Sequence, residues 1–221
     1  MEKAYFITGT DTNAGKTWAT IALMRYFKSL GKSVIGMKPV ASGCLMQDGQ
    51  LKNADALLLQ ENSSSPVDYD LINPYAYELP VSPHIAGVKN PVRLEMLAVN
   101  FALLQAQADI VVVEGAGGWY SPLNAREANS DLAQLLAVPV ILVVALRLGC
   151  INHARLSYQA IVLAGIPCAG WIAVCLDPDL LSGDEVIDSL KKTLATPLLG
   201  ILPYREVADF DFFAEQLKLQ A

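Results

Sequence analysis

Residues 9–17 read Gly-Thr-Asp-Thr-Asn-Ala-Gly-Lys-Thr and lie between the apolar run Ala4–Thr8 and a helical pattern. A turn of this kind lets backbone N–H groups surround a polyphosphate, and the N-terminus of the following helix adds partial positive charge. Lys16 would reach the outer phosphates and Thr17 would offer a hydroxyl to Mg²⁺, although Thr10 replaces the first glycine of the usual pattern. The segment therefore predicts a phosphate-binding loop, and ATP or GTP chemistry is the leading hypothesis. An ordinary strand-to-helix turn is the alternative.

Apolar runs alternate with helical periodicities along the rest of the chain, as in repeated βαβ units. Uninterrupted apolar strands are typical of a parallel sheet covered by helices on both faces. We therefore expect an α/β fold resembling P-loop NTPases, with a mostly parallel sheet of about six to seven strands, in a single domain spanning residues 1–221. Residues 62–91, rich in Ser, Pro, Tyr and Asn, are the longest irregular stretch and are expected to form a substrate-side loop.

The expected strands are Ala4–Thr8, Ser33–Met37, Asp109–Val113, Val140–Ala145, Ala169–Val174 and Leu198–Leu202. The expected helices are Lys16–Leu30, Ala54–Leu59, Val92–Gln107, Ser130–Leu136, Ile151–Ala164, Asp184–Leu194 and Phe212–Leu217.

Composition limits the classes of partner. A net charge of −6 and a pI near 4.9 argue against a general basic field for nucleic acid or an anionic membrane. No signal segment and no membrane-spanning apolar stretch is evident, so we expect a cytoplasmic protein. The four cysteines lack C-x-x-C spacing and predict buried thiols rather than a metal or redox site. Because 53% of the residues are hydrophobic and only 17% are charged, we also expect an oligomer.

Polar residues that follow the strands are candidate ligands, because ligands of open parallel sheets bind beyond the carboxyl ends of the strands. Lys38 follows the second strand and would bring a second cation beside Lys16. Glu114 stands at the tip of the third strand, in the manner of a Walker B carboxylate, and is followed by glycines. Asp55 begins a helix and could join Thr17 and Glu114 as a Mg²⁺ ligand, since Mg²⁺ needs only one or two carboxylates besides phosphates.

A fourth strand end passes through Gly149 into a helix, where free backbone N–H groups could receive a carboxylate. His153 in this helix and His84 in Ser82-Pro83-His84 have no sequence partner of a catalytic type. Neither histidine is expected to be catalytic.

Five segments taken together resemble dethiobiotin synthetases, in order and with similar spacing from Tyr5 to about Tyr204. Co-occurrence of five segments is far more specific than a phosphate-binding loop alone. They are Gly9–Thr17, Lys38–Gly43, Ser82–His84, Val113–Gly118 and Leu148–His153.

The resemblance implies an ATP- and Mg²⁺-dependent ligase that closes a cyclic urea on 7,8-diaminopelargonate with CO₂, a step of biotin synthesis. An amine would capture CO₂ as a carbamate, the carbamate would attack the γ-phosphate, and the second amine would displace phosphate. Lys38, Lys16 and Thr12 would be catalytic, and Thr17, Asp55 and Glu114 would hold the metal. Family members are homodimers, in which the loop at Gly149 binds the substrate carboxylate across the interface.

By the same resemblance, the nucleotide would contact Asn13, Ala14, Gly15, Lys16, Thr17, Trp18, Asp55, Glu114, Gly115, Ala116, Gly117, Val174, Cys175, Leu202, Pro203 and Tyr204. The substrate would contact Thr12, Lys38, Ser42, Gly149, Cys150, Ile151 and Asn152.

Three positions depart from the family pattern. Val174 stands where a polar residue often recognises adenine, and a valine side chain can make no hydrogen bond. GTP or CTP are therefore alternative nucleotides. Asn13 replaces a common acidic residue, and Val186 replaces a tyrosine that in some members reaches the partner's substrate, which predicts weaker carboxylate anchoring.

Two other classes of protein share such a loop. A cobyrinate-type amidoligase would need an additional glutaminase domain, for which 221 residues leave little room. A partitioning or septum-positioning ATPase usually has a second lysine where Asp11 stands and a basic amphipathic C-terminus. The acidic segment Asp209–Glu215 argues against that class.

Overall fold

The computed structural model describes residues 2–219. In chain order, its elements are β1 (Ala4–Gly9), α1 (Lys16–Ser29), β2 (Val34–Met37), β3 (Val40–Ser42), β4 (Leu45–Gln47), β5 (Gln50–Lys52), α2 (Ala54–Glu61), α3 (Tyr69–Ile72), β6 (Tyr75–Tyr77), α4 (Pro83–Ala86), α5 (Leu94–Gln105), β7 (Ile110–Gly118), α6 (Asn129–Leu136), β8 (Val140–Leu146), α7 (Cys150–Leu163), β9 (Cys168–Cys175), α8 (Gly183–Thr193), β10 (Leu198–Leu202) and α9 (Phe210–Glu215).

Six of these strands form one parallel sheet in the order β10-β9-β8-β1-β7-β2. Its central strands are buried along their length because helices cover both faces, which explains their continuous apolar sequences. Two hydrophobic cores lie on the sheet, one involving α1 and α9 and the other involving α5, α6 and α7. The predicted α/β fold and all six predicted strands are confirmed.

The third predicted strand ends later than expected. β7 continues beyond Val113 to Gly118, and the register pairs Glu114 with Ile7 and Gly118 with Gly9 of β1. The prediction that Glu114 stands at a strand tip was therefore wrong, because the small residues after it stay in the parallel ladder. Glu114 is held by strand pairing on the β1 side, in a completely buried position.

Residues 62–91 are not an irregular loop as predicted, since they contain α3, β6 and α4. Strand β6 pairs in parallel with β3, which continues from β2 after Pro39. Asn73 links this layer to the sheet by donating from its side chain to the Lys38 carbonyl at 2.7 Å. These elements are too short to give a periodic signal, so long-range pairing defines them.

The strands β4 and β5 form an antiparallel hairpin that the sequence pattern did not predict. Its turn residues Asp48 and Gly49 both have positive φ, at 51° and 79°, as a two-residue hairpin turn requires. The predicted helices are present with shifted ends, and the last one spans Phe210–Glu215 instead of Phe212–Leu217. Over residues 2–219, every helix is too short or too polar to cross a lipid bilayer.

Candidate active site

A cavity of about 780 Å³ opens at the carboxyl ends of β1, β2 and β7. The phosphate-binding loop forms one wall, and the segments after β2 and β6 form the opposite one. Twelve of the predicted site residues line it: Thr12, Asn13, Gly15, Lys16, Thr17, Trp18, Lys38, Ser42, Asp55, Glu114, Ala116 and Gly117. The strand ends therefore bring the phosphate-binding, metal-binding and substrate-binding candidates to one site.

The loop turns sharply into α1 through backbone that glycine favours. Gly15 has φ of 83°, and a Cβ there would lie 2.7 Å from Cγ1 of Val174. Only glycine fits this conformation and this spacing without strain. Asn13 also has positive φ, at 57°, which asparagine tolerates better than most residues. The loop therefore lies directly on β9 and is held in a compact form.

Lys16 is almost completely buried at the start of α1, with 6% exposure. Its Nζ donates to the carbonyl oxygen of Asp11 at 3.0 Å, so the loop itself holds the ammonium group. Burial is the largest cause, and the positive charge of Lys38 adds to it, so that the pKa of Lys16 is lowered to about 8. A bound polyphosphate would oppose both effects by adding negative charge beside the ammonium group.

Lys38 forms a buried ion pair with two carboxylates. Its Nζ donates to Oε1 of Glu114 and lies 3.0 Å from Oδ2 of Asp55. Burial alone would lower the pKa of Lys38, but the negative charges of Glu114 and Asp55 outweigh burial and raise it. Lys38 is therefore a permanently charged group on the cavity wall.

Thr17, Asp55 and Glu114 supply oxygen atoms close to this cation. The Thr17 hydroxyl donates to Oε1 of Glu114 at 3.0 Å, whereas Oε2 of Glu114 is buried without a hydrogen-bond partner among the described residues. Burial would raise the pKa of Asp55, but Lys38 outweighs it and the pKa is lowered, so this carboxylate is ionised. A hydroxyl, an ionised carboxylate and an unpartnered buried oxygen form a donor set that suits Mg²⁺.

Asp55 is positioned by the start of α2. The side chain of Asn53 caps this helix by accepting from the backbone N–H of Ala56 at 3.3 Å. An acid in the first turn is also favoured by the helix dipole. The half-buried Asp55 side chain thereby faces Lys38, whereas Glu114 approaches Lys38 from the sheet.

The glycine-rich end of β7 is fixed by two side chains that the sequence analysis did not single out. The Asn129 amide donates to the carbonyls of Ala116 and Gly118 at 2.7 and 2.8 Å, and the Ser121 hydroxyl accepts from the Gly118 N–H at 2.8 Å. Gly115 packs against Phe6 and Asn129. The backbone that follows Glu114 is therefore rigid.

Ser42 carries the second buried polar atom without a partner among the described residues that line the cavity. Its hydroxyl is buried and has no partner among residues 2–219, and it lines the cavity together with Thr12. An unsatisfied buried hydroxyl costs free energy unless a ligand or water supplies a hydrogen bond. The site thus presents a hydrogen-bonding group to a further molecule beside the phosphate loop.

Several predicted nucleotide contacts lie outside the cavity lining. Val174 is 1% exposed and packs beneath Gly15, so its side chain supports the loop. Ala14 is fully buried, and the remaining predicted contacts lie in β7 or at the ends of β9 and β10: Gly115, Cys175, Leu202, Pro203 and Tyr204. Val186 lies within α8.

The predicted carboxylate-binding segment also lies outside the cavity of this chain. Gly149 has φ of 91° and precedes α7, which begins with the buried Cys150 and continues through Ile151 and Asn152. The segment is joined to the phosphate loop by an ion pair from Arg147 to Asp11. Leu148 beside it is fully exposed.

Part of the cavity wall was not predicted from the sequence. Ser82 lines the cavity, and its hydroxyl lies 3.0 Å from Nδ1 of His84. The segment Ser82–His84 was the available signal, but its proximity to the cavity depends on β6 and α4. The other unpredicted lining residues are Val40, Ala41, Asn53, Pro80, Val81, Pro83, Ser121 and Leu176.

Comparisons with known proteins agree with this architecture. A family model described as an AAA domain matches residues 3–210. Among solved structures, a MinC:MinD cell division complex from Aquifex aeolicus matches with a TM-score of 0.58 and 17% identity over 98% of this chain and 87% of that chain. FtsY from Thermotoga maritima matches with a TM-score of 0.54 and 16% identity, over the whole of this chain and 66% of that one. At such identities the likeness shows the P-loop fold alone.

Curated relatives are much more similar in sequence. A protein of Xylella fastidiosa strain M12, named ATP-dependent dethiobiotin synthetase BioD, is 48% identical over 91% of this chain and 90% of its own length. Proteins of the same name from Cellvibrio japonicus and Salmonella typhi are each 46% identical, over 99% and 94% of this chain and 96% and 92% of their own lengths. The chain therefore belongs to the ATP-dependent dethiobiotin synthetase family.

Proposed function

We propose that this protein uses ATP to form a cyclic urea from 7,8-diaminopelargonate and CO₂, giving dethiobiotin. The observation that carries the proposal is that Lys16, Lys38 and the unpartnered Ser42 hydroxyl all line the same cavity. Relatives at 46–48% identity are named ATP-dependent dethiobiotin synthetase, which gives the product and the use of ATP. The partitioning-ATPase alternative rests only on a common fold, and those relatives do not favour it.

Two lysines are needed because the two reacting groups are both anionic. Carbamate formed on the first amine must approach the γ-phosphate, and their repulsion raises the barrier unless cations lie between them. Lys16 binds the outer phosphates, and Lys38 faces the transferred phosphoryl group. The resulting mixed anhydride is then attacked by the second amine, which closes the ring and releases phosphate.

Thr17, Asp55 and Glu114 would hold Mg²⁺, which supplies charge neutralisation of the phosphates. The free Oε2 of Glu114 and the ionised Asp55 carboxylate support this assignment. Thr12 and Ser42 bind the amine or carbamate group through hydrogen bonds. No side chain is required as a nucleophile in this chemistry.

The proposed assembly is a homodimer of single-domain chains in the cytoplasm, where ATP is available. The segment Gly149–Asn152 is proposed to bind the substrate carboxylate in the partner's site, because it lies outside the cavity of its own chain. The exposed Leu148 beside it, together with Leu156 and Leu163 of α7, offers apolar surface for such an interface. A dimer that dissociates at low concentration should lose affinity for the diamine.

The direct test measures dethiobiotin by mass spectrometry and phosphate release from ATP, GTP and CTP, with and without diaminopelargonate and bicarbonate. We expect phosphate release to require both cosubstrates and to match dethiobiotin formation one to one. Equal phosphate release without the diamine would contradict the proposal. Sedimentation of the same sample tests the dimer separately.

A further inference from the structure

Ser82 and His84 form a polar pair at the wall of the cavity, apart from the nucleotide and metal ligands. The Ser82 hydroxyl lies 3.0 Å from Nδ1 of His84, and Ser82 itself lines the cavity. A neutral imidazole can accept a proton at one ring nitrogen and release one from the other. The pair can therefore carry a proton from the cavity to solvent, since His84 is only partly buried.

The Ser82 hydroxyl does not cap helix α4, although Ser82 stands at the capping position. Ser82 occupies the residue before α4, where a serine side chain commonly accepts a backbone N–H of the first helical turn. Here it makes no capping hydrogen bond, and its partner is the His84 imidazole. The contact therefore orients a hydroxyl group that helix capping leaves free.

Backbone contacts fix this segment beside Ser42. The Gly43 N–H donates to the Leu79 carbonyl at 3.2 Å. A Cβ built on Gly43 would lie only 3.3 Å from Cβ of Pro80, which shows how closely the two segments pack. Ser42 and Ser82 thus lie at the cavity on adjoining segments. The buried Ser42 hydroxyl has no hydrogen-bond partner among the described residues.

The proposed reaction needs a proton acceptor, because an amine that attacks CO₂ must lose a proton to become a stable carbamate. Among the described residues that line the cavity, the ionisable ones are Lys16, Lys38, Asp55 and Glu114. Lys38 is ion-paired with both carboxylates, which would also bind the proposed metal. Lys16 donates to the phosphate-binding loop and would bind the phosphates. The remaining base is His84, which is connected to the cavity through the hydroxyl of Ser82.

We propose that Ser82 and His84 relay the proton released when the carbamate forms, an inference that rests on the proposed function. As the amine nitrogen attacks CO₂, the N–C bond forms and one C–O π pair moves onto oxygen. The nitrogen proton passes to Ser82 Oγ while the Ser82 hydroxyl proton passes to His84 Nδ1. The products are a carbamate anion and an imidazolium, which then releases its proton to solvent. In this relay Ser82 contacts the amine, and His84 takes the proton through Ser82 without touching the substrate.

The surroundings of His84 bear on the expected pH dependence. Helix α4 packs against β3, whose residues Val40–Ser42 carry no charge. Tyr77 lies against Gly87 at the end of α4, and burial raises the pKa of this phenol to about 12, so it stays neutral. The charged groups that could affect the protonation of His84 are Glu78 and Lys89 in the segments flanking α4, and the cavity residues Lys16, Lys38, Asp55 and Glu114.

The experiment compares dethiobiotin formation by the wild type, Ser82→Ala, His84→Ala, His84→Asn and the Ser82→Ala/His84→Ala double variant between pH 6 and pH 9.5. We expect kcat of each single variant to fall about a hundredfold at pH 7, the scale of one proton-transfer group, with an unchanged KM for ATP. The deficit should shrink as pH rises, because hydroxide then takes the proton. Added imidazole should partly restore His84→Ala.

The His84→Asn variant is the matched control, since an amide keeps a hydrogen bond to Ser82 but accepts no proton. Full activity of His84→Asn would overturn the relay and leave only a structural role. The double variant should be no slower than the worse single variant if the two residues act as one unit, and additive losses would contradict this. ADP binding and thermal unfolding check that each variant is folded. If His84→Ala does not fold, the test rests on Ser82→Ala.

Failure of the two proposals can be told apart. If the wild type makes no dethiobiotin, the proposed function fails and the relay falls with it. If the wild type makes dethiobiotin and both single variants keep its rate and pH profile, only the relay is overturned.

Discussion

The ammonium group of Lys38 and the carboxylate of Glu114 form an ion pair from which solvent is nearly excluded, with side chains that are 7% and 1% exposed. Two buried charges of opposite sign are tolerable together, but either one alone would be costly. The pair therefore couples the stability of the chain to the chemistry of its cavity.

Lys38→Met should slow phosphate release by about a hundredfold or more, because the proposed electrostatic contact to the transferred group would be lost. It should also lower the free energy of unfolding by about 3–5 kcal/mol, the usual cost of leaving a buried partner unpaired. Phosphate-release assays and denaturant unfolding measure the two effects. Lys52→Met is the control for loss of a lysine, since Lys52 pairs with the exposed Asp48. Normal turnover of Lys38→Met would remove Lys38 from the mechanism.

Glu114→Gln and Asp55→Asn should both raise the Mg²⁺ concentration needed for half-maximal phosphate release, because each would replace a charged oxygen of the proposed metal site by an amide. The effect on stability should differ between them. Glu114 is buried, whereas the Asp55 side chain is 41% exposed and can be replaced by water beside Lys38. We expect the larger loss in thermal unfolding temperature for Glu114→Gln. Superimposable Mg²⁺ titrations for variants and wild type would contradict the assignment.

Nucleotide affinity should depend on pH through Lys16, whose pKa is lowered to about 8 by burial and by Lys38. Bound phosphate favours the charged lysine and raises this pKa, so binding takes up a proton above about pH 8. Affinity for ADP should therefore be greatest below pH 8 and fall as pH rises through that value. Calorimetry in two buffers of different ionisation enthalpy measures the proton uptake. Lys16→Met should bind weakly at every pH and show no uptake, and a retained uptake would assign the proton elsewhere.

Gly15→Ala should abolish tight nucleotide binding. The added methyl group would lie 2.7 Å from Cγ1 of Val174, in a residue with φ of 83°. Gly31→Ala is a matched control, because Gly31 has φ of 74° but nothing within 4 Å of an added Cβ. The control should lose about 1–2 kcal/mol of stability through backbone strain and keep its nucleotide affinity. Binding by Gly15→Ala at wild-type strength would show that the loop relaxes freely.

The sheet could be predicted from the sequence because its strands are continuous apolar runs, such as Val140–Leu146. The short strands β3 and β6 could not, since three residues give no periodicity and their pairing joins segments far apart in the chain. Lys16 and Lys38 follow from strand order, because parallel strands place their carboxyl ends at one edge. Glu114 was also found from the sequence, although it lies within β7 and not at its end.

Other parts of the site depend on packing that no local pattern encodes. Val174 lies at the expected strand end, yet its side chain is covered by Gly15 rather than open to a base. The Ser82 and His84 contact arises where α4 places two nearby residues against a cavity formed by distant segments. The hydrophobic pattern of residues 62–91 gave no indication of that placement.

Asp11 has contacts in three directions. Its carbonyl accepts from Lys16, one carboxylate oxygen accepts from the Thr12 N–H, and the other meets Arg147 just before Gly149. Because of these contacts, the turn before α7 can move only if Asp11 and the Thr12 amide move with it, or if the ion pair between Arg147 and Asp11 breaks. One acidic residue thus couples the movement of the phosphate-binding loop to that of the turn before α7.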